Sequence, residues 1–233
     1  MKRALAILAA LLFGIAANAQ VSPAAGWQAT QLVRTNVASD GYRSYNYAWA
    51  NGFYAGLLSS GSLAVPGLSY SYSIFYSYAT GKETDVLLIM DDPHHTAASK
   101  GEVITDEHYI LVPGTVSYRL YLTPWLSMGA YVGAEVSYCL SSKSYSTWPG
   151  VDGTNHWNVD HFDGTTNYNG YRRFDLGVLG GLGMVLFDHV RLEGGVSYGL
   201  LDRSAGEGQL HRCTAAPSTP VSHTYLNKKE SHF

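Results

Sequence analysis

The chain has 233 residues, with 18 acidic and 15 basic side chains and a net charge of −3; without a basic excess, nucleic acid is not expected as a partner. Its two cysteines, Cys139 and Cys213, are too few to staple a domain, so a disulfide framework is not expected. With 18 Tyr, 25 Gly and only 14% charged residues, the composition is that of a β-protein.

At the N-terminus, Met1-Lys2-Arg3 precedes an apolar run over residues 4–17, and Ala17-Asn18-Ala19 stands before Gln20. This is the pattern of a secretory signal peptide with an Ala-x-Ala cleavage site. The run is about 14 residues, short of the roughly 20 that a spanning helix needs. No cysteine follows the cleavage site, so no lipid anchor is indicated. The expected organisation is a signal peptide over 1–19, one domain over 20–216 and an irregular tail over 217–233.

Residues 27–37 and 49–59 read as strands, the first rather polar and the second containing Asn51-Gly52. Residues 68–78 alternate Leu68, Tyr70, Tyr72, Ile74, Tyr76 and Tyr78 with mostly serine. The clearest period-two patterns cover 110–122, 128–140, 174–186 and 190–200; such alternation marks strands with two unlike faces. An eighth strand is expected from Gln209, stopping before Pro217, because interior proline removes ladder hydrogen bonds. The connections alternate in length: 60–66, 123–125 and 188–189 are short, while 38–48, 81–108 and 141–172 are long. Short turns at one end and long loops at the other are the layout of an outer-membrane barrel. The fold class is therefore all-β, an eight-stranded antiparallel up-and-down transmembrane β-barrel with an irregular final strand.

Each clear strand supplies about 10–13 residues, near the 9–11 that cross the hydrocarbon at a tilt. Their apolar faces, including Val116, Val132, Leu182 and Val196, carry no Asp, Glu, Lys or Arg and are expected to meet lipid. Tyr78, Tyr118, Tyr138 and Tyr198 lie near strand ends, where aromatic girdles form. The other faces collect Arg34, Arg119, Glu135, Arg173, Asp175, Arg191 and Glu193. Buried charges have to be paired, and the interior of an eight-stranded barrel is only wide enough for side chains to fill it. These seven are expected to form a charge network that plugs the lumen, with inward glycines making room for the long arginines.

Several segments together resemble a known family. They are Tyr109-Ile110-Leu111-Val112-Pro113 leading into Val116-Ser117-Tyr118-Arg119, then Gly129-Ala130-Tyr131-Val132-Gly133, Phe174-Asp175-Leu176-Gly177 through Gly180-Gly181-Leu182-Gly183, and Tyr198-Gly199-Leu200. The set resembles the PorT-like outer-membrane β-barrel domain common in Bacteroidetes, related in architecture to the OmpA barrel. The likeness spans about two thirds of the mature chain and its motifs are barrel grammar rather than a catalytic signature. It implies a barrel ending on an alternating strand with a terminal aromatic; Phe233 is terminal, but residues 227–232 do not alternate.

Motifs for chemistry are weak. Gly195-Val196-Ser197-Tyr198-Gly199 has nucleophile-elbow spelling, but no helix pattern follows it. Residues 177–183 are glycine-rich without the helix and acidic residue of a dinucleotide site. Asp91-Asp92-Pro93-His94-His95, and His156 with Asp160, His161 and Asp163, could ligate a divalent ion; solvated loops use the same residues, and neither a metal nor a cofactor is assigned. Trp148, Trp157 and Phe162 point instead to contact with a partner or carbohydrate. The expected function is a non-enzymatic envelope protein with a filled lumen, anchoring long extracellular loops for adhesion or ligand contact. Alternatives are a lipid-modifying outer-membrane enzyme and a narrow solute channel. Outer-membrane lipid, the barrel assembly machinery and an extracellular ligand bound through the loops are the expected partners.

Overall fold

The computed structural model describes residues 20–37, 43–89, 98–150, 153–163, 171–187, 190–201, 203, 208–217 and 221–222. The signal-peptide segment 1–19 lies outside them. The described residues form ten strands: β1 Gln20–Val37, β2 Arg43–Ser62, β3 Leu68–Ile89, β4 Ala98–Thr123, β5 Leu126–Gly150, β6 Gly153–Asp160, β7 Phe174–Leu186, β8 Val190–Gly199, β9 Gly208–Pro217 and β10 Val221–Ser222. Every pairing is antiparallel. Eight strands make a ring in the order β1-β2-β3-β4-β5-β7-β8-β9, and β6 folds back on the outer part of β5.

β9 closes the ring. It pairs with β1 from Ala29↔Ala215 to Asn36↔Gly208 and with β8 from Gly194↔Pro217 to Tyr198↔Cys213. β9 is thus paired along its length with β1, with β8 or with both, as backbone groups in lipid require. The strand does not stop before Pro217, as the sequence led one to expect. Pro217 sits opposite Gly194, and Val221 and Ser222 resume the pairing against Arg191 and Val190. A proline forfeits only the bond its own N–H would donate, and β9, held by β1 as far as Ala215 and by β8 as far as Pro217, takes the proline in as its last residue.

The faces sort as a membrane demands. Val116, Val132, Leu182 and Val196 point outward and are 44%, 66%, 69% and 61% exposed, whereas Ser71, Ser73, Ser77, Ser117, Ser127 and Ser137 are buried inside. A soluble barrel would have the reverse orientation. Short connections gather at one end of the ring, at residues 63–67, at 124–125 and after Leu186, at Phe187. In the first, Gly67 adopts φ 81°, a left-handed conformation that glycine reaches without penalty, and its carbonyl accepts the Arg119 N–H at 2.8 Å. In the last, Phe187 adopts φ 53°, which is uncommon for a side-chain-bearing residue. Its N–H donates to the Trp125 carbonyl at 2.7 Å and its ring stacks on Trp125 at 5.8 Å. These two rings, with Tyr118 and Tyr121, are exposed at this end, and Trp49, Phe53, Tyr76, Tyr138, Phe174 and Tyr198 are exposed toward the other. From Leu126 to Tyr138, roughly 12 steps of about 3.4 Å at a tilt of about 45° rise about 29 Å, the thickness of a bilayer's hydrocarbon core.

Beyond the outer aromatic ring β3, β4 and β5 keep going, to lengths of 22, 26 and 25 residues. Their outer parts stay paired, Thr80↔Asp106 through Ile89↔Ala98 and Asp106↔Lys143 through Glu102↔Thr147, and β6 adds Lys143↔Asp160 through Gly150↔Gly153. Segments expected as long loops, 81–108 and much of 141–172, are thus largely a projecting four-stranded sheet. Its buried face carries Ser142, Ser144 and Ser146 and its exposed face Lys143 and Tyr145, so apolar alternation is lost there while backbone pairing persists.

The inward glycines do not serve mainly to admit arginines. Tyr131 lies across β7 onto β8, with its hydroxyl over Gly181 and Gly195, and Tyr54 lies over Gly26. A ring laid over glycines fills the lumen without crowding. In Gly195→Ala the new methyl meets the Tyr131 hydroxyl and, at 2.7 Å, the Gly180 carbonyl oxygen. Overpacking of this kind costs about 1–3 kcal/mol. Urea titration of the purified barrel, followed by the gel shift between folded and boiled protein, should show that loss, and Tyr131→Ala in the same chain should recover part of it.

Candidate functional site: the lumen and its outer cap

Three layers occupy the interior. In the layer nearest the short turns, Arg191 is buried and pairs with Glu193, Nε donating to Oε1 at 2.6 Å and Nη2 completing the ion pair. Both residues, with Glu135, Tyr131, Gln28 and Ser197, border a cavity of about 150 Å³. Arg119 borders a smaller space of about 20 Å³ that also touches Arg191 and Glu193. Around them the hydroxyls are bonded across strands, Ser71 to Thr115 at 2.6 Å, Ser69 to Ser117 at 2.8 Å and Gln28 to Ser77 at 2.6 Å.

The middle layer is apolar. Phe75, Leu111, Tyr109 and Cys139 are buried together, with Tyr54, Ala24 and Phe162 packed against them. The Tyr54 and Phe75 rings lie 5.0 Å apart. Cys139 is a free, buried thiol. The side chain of Cys213 lies outside the described residues; β5 and β9 are separated in the ring by β7 and β8.

The outer layer is a cap that connects the strands to two loops. Arg203, in the segment between β8 and β9, is fully buried, as is Glu107 on β4. Arg203 Nη1 donates to the Tyr109 hydroxyl at 2.5 Å, and Nη2 stands 3.7 Å from Glu107 Oε1. Glu107 in turn accepts from the Tyr109 hydroxyl at 2.6 Å and from Ser142 Oγ at 3.1 Å. Burial opposes the charge on Arg203, but the Tyr109 and Glu107 oxygens outweigh it and hold its pKa above the ordinary guanidinium value. Its carbonyl accepts the Arg172 N–H at 2.7 Å, which ties the two loops together. Phe162 enters from the loop after β6, under the Arg173 guanidinium at 3.9 Å.

The seven charges singled out in the sequence therefore fall in separate places. Arg119, Glu135, Arg191 and Glu193 are in the inner layer. Arg173 lies at the rim, donating to the Cys139 and Leu140 carbonyls at 3.2 and 2.7 Å. Asp175 is buried near it and accepts the Leu201 N–H at 3.3 Å. The backbone of Arg34 pairs with Asn46 and Leu210; its side chain lies outside the described residues. Glu107 and Arg203 were missed. Glu107 shares inward parity with Tyr109 and Leu111, but its segment, 81–108, lacks apolar alternation and reads as loop. Arg203 carries no periodic signal at all.

The weaker motifs separate likewise. Ser197 is an ordinary member of β8, so Gly195–Gly199 is not an elbow. His156 Nδ1 pairs with Thr147 at 3.3 Å, and His161 Nε2 with Ser144 at 2.8 Å. Asp160 Oδ1 accepts the Phe162 N–H at 3.0 Å. Among the described residues no three His, Cys, Asp or Glu side chains converge; residues 91–95 lie outside them.

A closed antiparallel ring with an apolar exterior, a polar interior and short turns at one end defines the molecule as a transmembrane β-barrel. The model of a family described as outer membrane protein beta-barrel domain matches residues 15–204, and the chain belongs to that family; its place is the outer membrane. Among solved structures, the chain is similar to Ail, the attachment invasion locus protein of Yersinia pestis, in complex with the heparin analogue sucrose octasulfate, at 12% identity and a TM-score of 0.34, covering 87% of this chain and 98% of that one. It is also similar to Neisserial surface protein A, at 12% identity and a TM-score of 0.39, covering 87% and 99% respectively. No curated protein matches the sequence.

Proposed function

We propose that this barrel is a non-enzymatic surface-display protein. Its lumen is filled, and its membrane part holds the projecting sheet outside the cell for adhesion or ligand contact. The observation that carries this reading is the continuation of β3, β4 and β5, with β6, beyond the outer aromatic ring, where Tyr145 and Trp157 are 40% and 38% exposed. Binding residues are commonly placed on such extensions of a rigid scaffold. The buried Glu107–Arg203 pair across the mouth and the aromatic middle layer support a filled lumen rather than a solute channel. Outer-membrane lipid around the apolar exterior and the assembly machinery that closes the ring complete the set of partners. A PorT-like lineage within the family is part of the proposal, supported by the motifs at 174–177 and 180–183 sharing β7.

Tyr145→Cys, in a chain with Cys139→Ser and Cys213→Ala, should be labelled on intact cells by a membrane-impermeant maleimide, and Val132→Cys should not. Exchanging residues 143–160 for a short turn should abolish adhesion of the cells while the folded band on gels persists. In planar bilayers the purified barrel should give no sustained conductance steps. Unlabelled Tyr145→Cys in a folded barrel would refute surface display, and steady conductance would refute the filled lumen.

A further inference from the structure

At the outer tip of the projecting sheet, β3, β4 and the β5–β6 hairpin border an open cleft of about 560 Å³. It shares no lining residue with the lumen. Its walls present Thr84, Glu102, Thr147, Trp148, Pro149 and Thr154. Trp148 is only 9% exposed, yet its indole Nε1–H has no hydrogen-bond partner. An unbonded buried donor is an uncommon feature that calls for a cause. Nothing on the membrane side explains it, since the residue stands well beyond the outer aromatic ring.

The lining has the character of a polar recognition site. The Thr84 and Thr154 hydroxyls can donate and accept, Thr147 already being bonded to His156, and the indole has both an apolar face and a donor. Among the described residues that line it the one carboxylate is Glu102, held by Lys82 at 2.7 Å, and no lining residue is a cation. A sulfated or acidic glycan would meet Glu102 with like charge. A polyproline peptide would fill the space with apolar rings and leave the hydroxyls unused. A chain of neutral sugar rings has apolar C–H faces for the indole and many hydroxyls for threonine and carboxylate.

We infer that this cleft binds a neutral oligosaccharide, one sugar hydroxyl accepting the Trp148 N–H as the indole turns toward the cleft. The inference rests on the surface-display reading and gives it a ligand class. The turn of the ring brings a buried indole next to sugar, so binding changes tryptophan fluorescence.

The full mature barrel, folded in detergent, can be titrated with hexasaccharides of glucose, mannose and N-acetylglucosamine, and in parallel with a heparin hexasaccharide and decaproline. Saturable binding of at least one neutral sugar, read by fluorescence and calorimetry, is expected, with no response to heparin or decaproline. Trp148→Phe keeps a ring but loses the donor and should weaken binding about tenfold, the equivalent of one hydrogen bond. Thr154→Val should weaken it as well, and both variants should keep the folded band on gels. Silence toward every neutral sugar, preference for heparin or decaproline, or wild-type affinity in Trp148→Phe overturns the inference. Labelling of Tyr145→Cys on cells separates the two readings: labelled cells with no sugar binding leave display standing and remove the ligand class alone.

Discussion

Arg203→Ala should loosen the outer cap and lower the stability of the barrel by about 3–5 kcal/mol, the cost of removing one partner from a buried ion pair. The loss is large because Glu107 stays behind. Its carboxylate is fully buried and keeps only the Tyr109 and Ser142 hydroxyls as donors. The tie from the Arg203 side chain through its backbone to Arg172 would go slack as well, freeing the β8–β9 segment from the mouth. Unfolding by urea, followed by the gel shift of the folded band, measures the stability. Accessibility of Cys139, a buried thiol in the layer beneath the cap, measures the opening: maleimide should modify it in Arg203→Ala far faster than in the wild type. A double variant, Glu107→Gln with Arg203→Met, removes both charges and should recover most of the stability, since uncharged side chains of similar size can replace a buried pair. If Arg203→Ala unfolds like the wild type, the cap is ornament and the closed lumen has to rest on the aromatic layer alone.

Val132→Arg is the second change with a large expected effect. Val132 lies on the outward face of β5, 66% exposed, paired with Val116 on one side and Gly180 on the other. It is midway between Leu126 and Tyr138, hence near the bilayer midplane. An arginine on the lipid face at that depth costs about 2–4 kcal/mol, falling toward zero at the interfaces. The folded fraction in lipid vesicles should drop accordingly. The same substitution at Tyr121, exposed beside the short turns, should cost little. Ser197→Asn, which adds a polar group beside the lumen cavity, should also be tolerated. A depth-independent response would contradict the assignment of the outer face to lipid.

The membrane-spanning part of this protein was written in its sequence, and the reason is the contrast between its two solvents. Lipid on one side and a polar interior on the other force a period of two, so 110–122, 128–140 and 174–186 each lie within a strand, 190–200 overruns β8 by one residue, and Val116, Val132, Leu182 and Val196 turn outward. Short against long connections likewise showed which end carries the turns. Where the buried face is itself mostly polar, the same backbone leaves no such trace: Ser142, Ser144, Ser146 and Trp148 alternate with Lys143, Tyr145 and Thr147, but polar against polar reads as loop. Only the ladder of β3, β4, β5 and β6 shows a sheet there. β9 reaches Pro217 because β8 pairs with it there, beyond its last β1 partner at Ala215, and a pattern along the chain carries no sign of that partner. The cap was beyond the reach of pattern altogether. Arg203 meets Glu107 and Tyr109 from 96 and 94 positions away, and it does so because closing the ring brings the β8–β9 segment over the inward face of β4. Periodicity encodes which side of a strand a residue occupies; which residues meet across a barrel is decided by register and closure, and these exist only once the chain has folded.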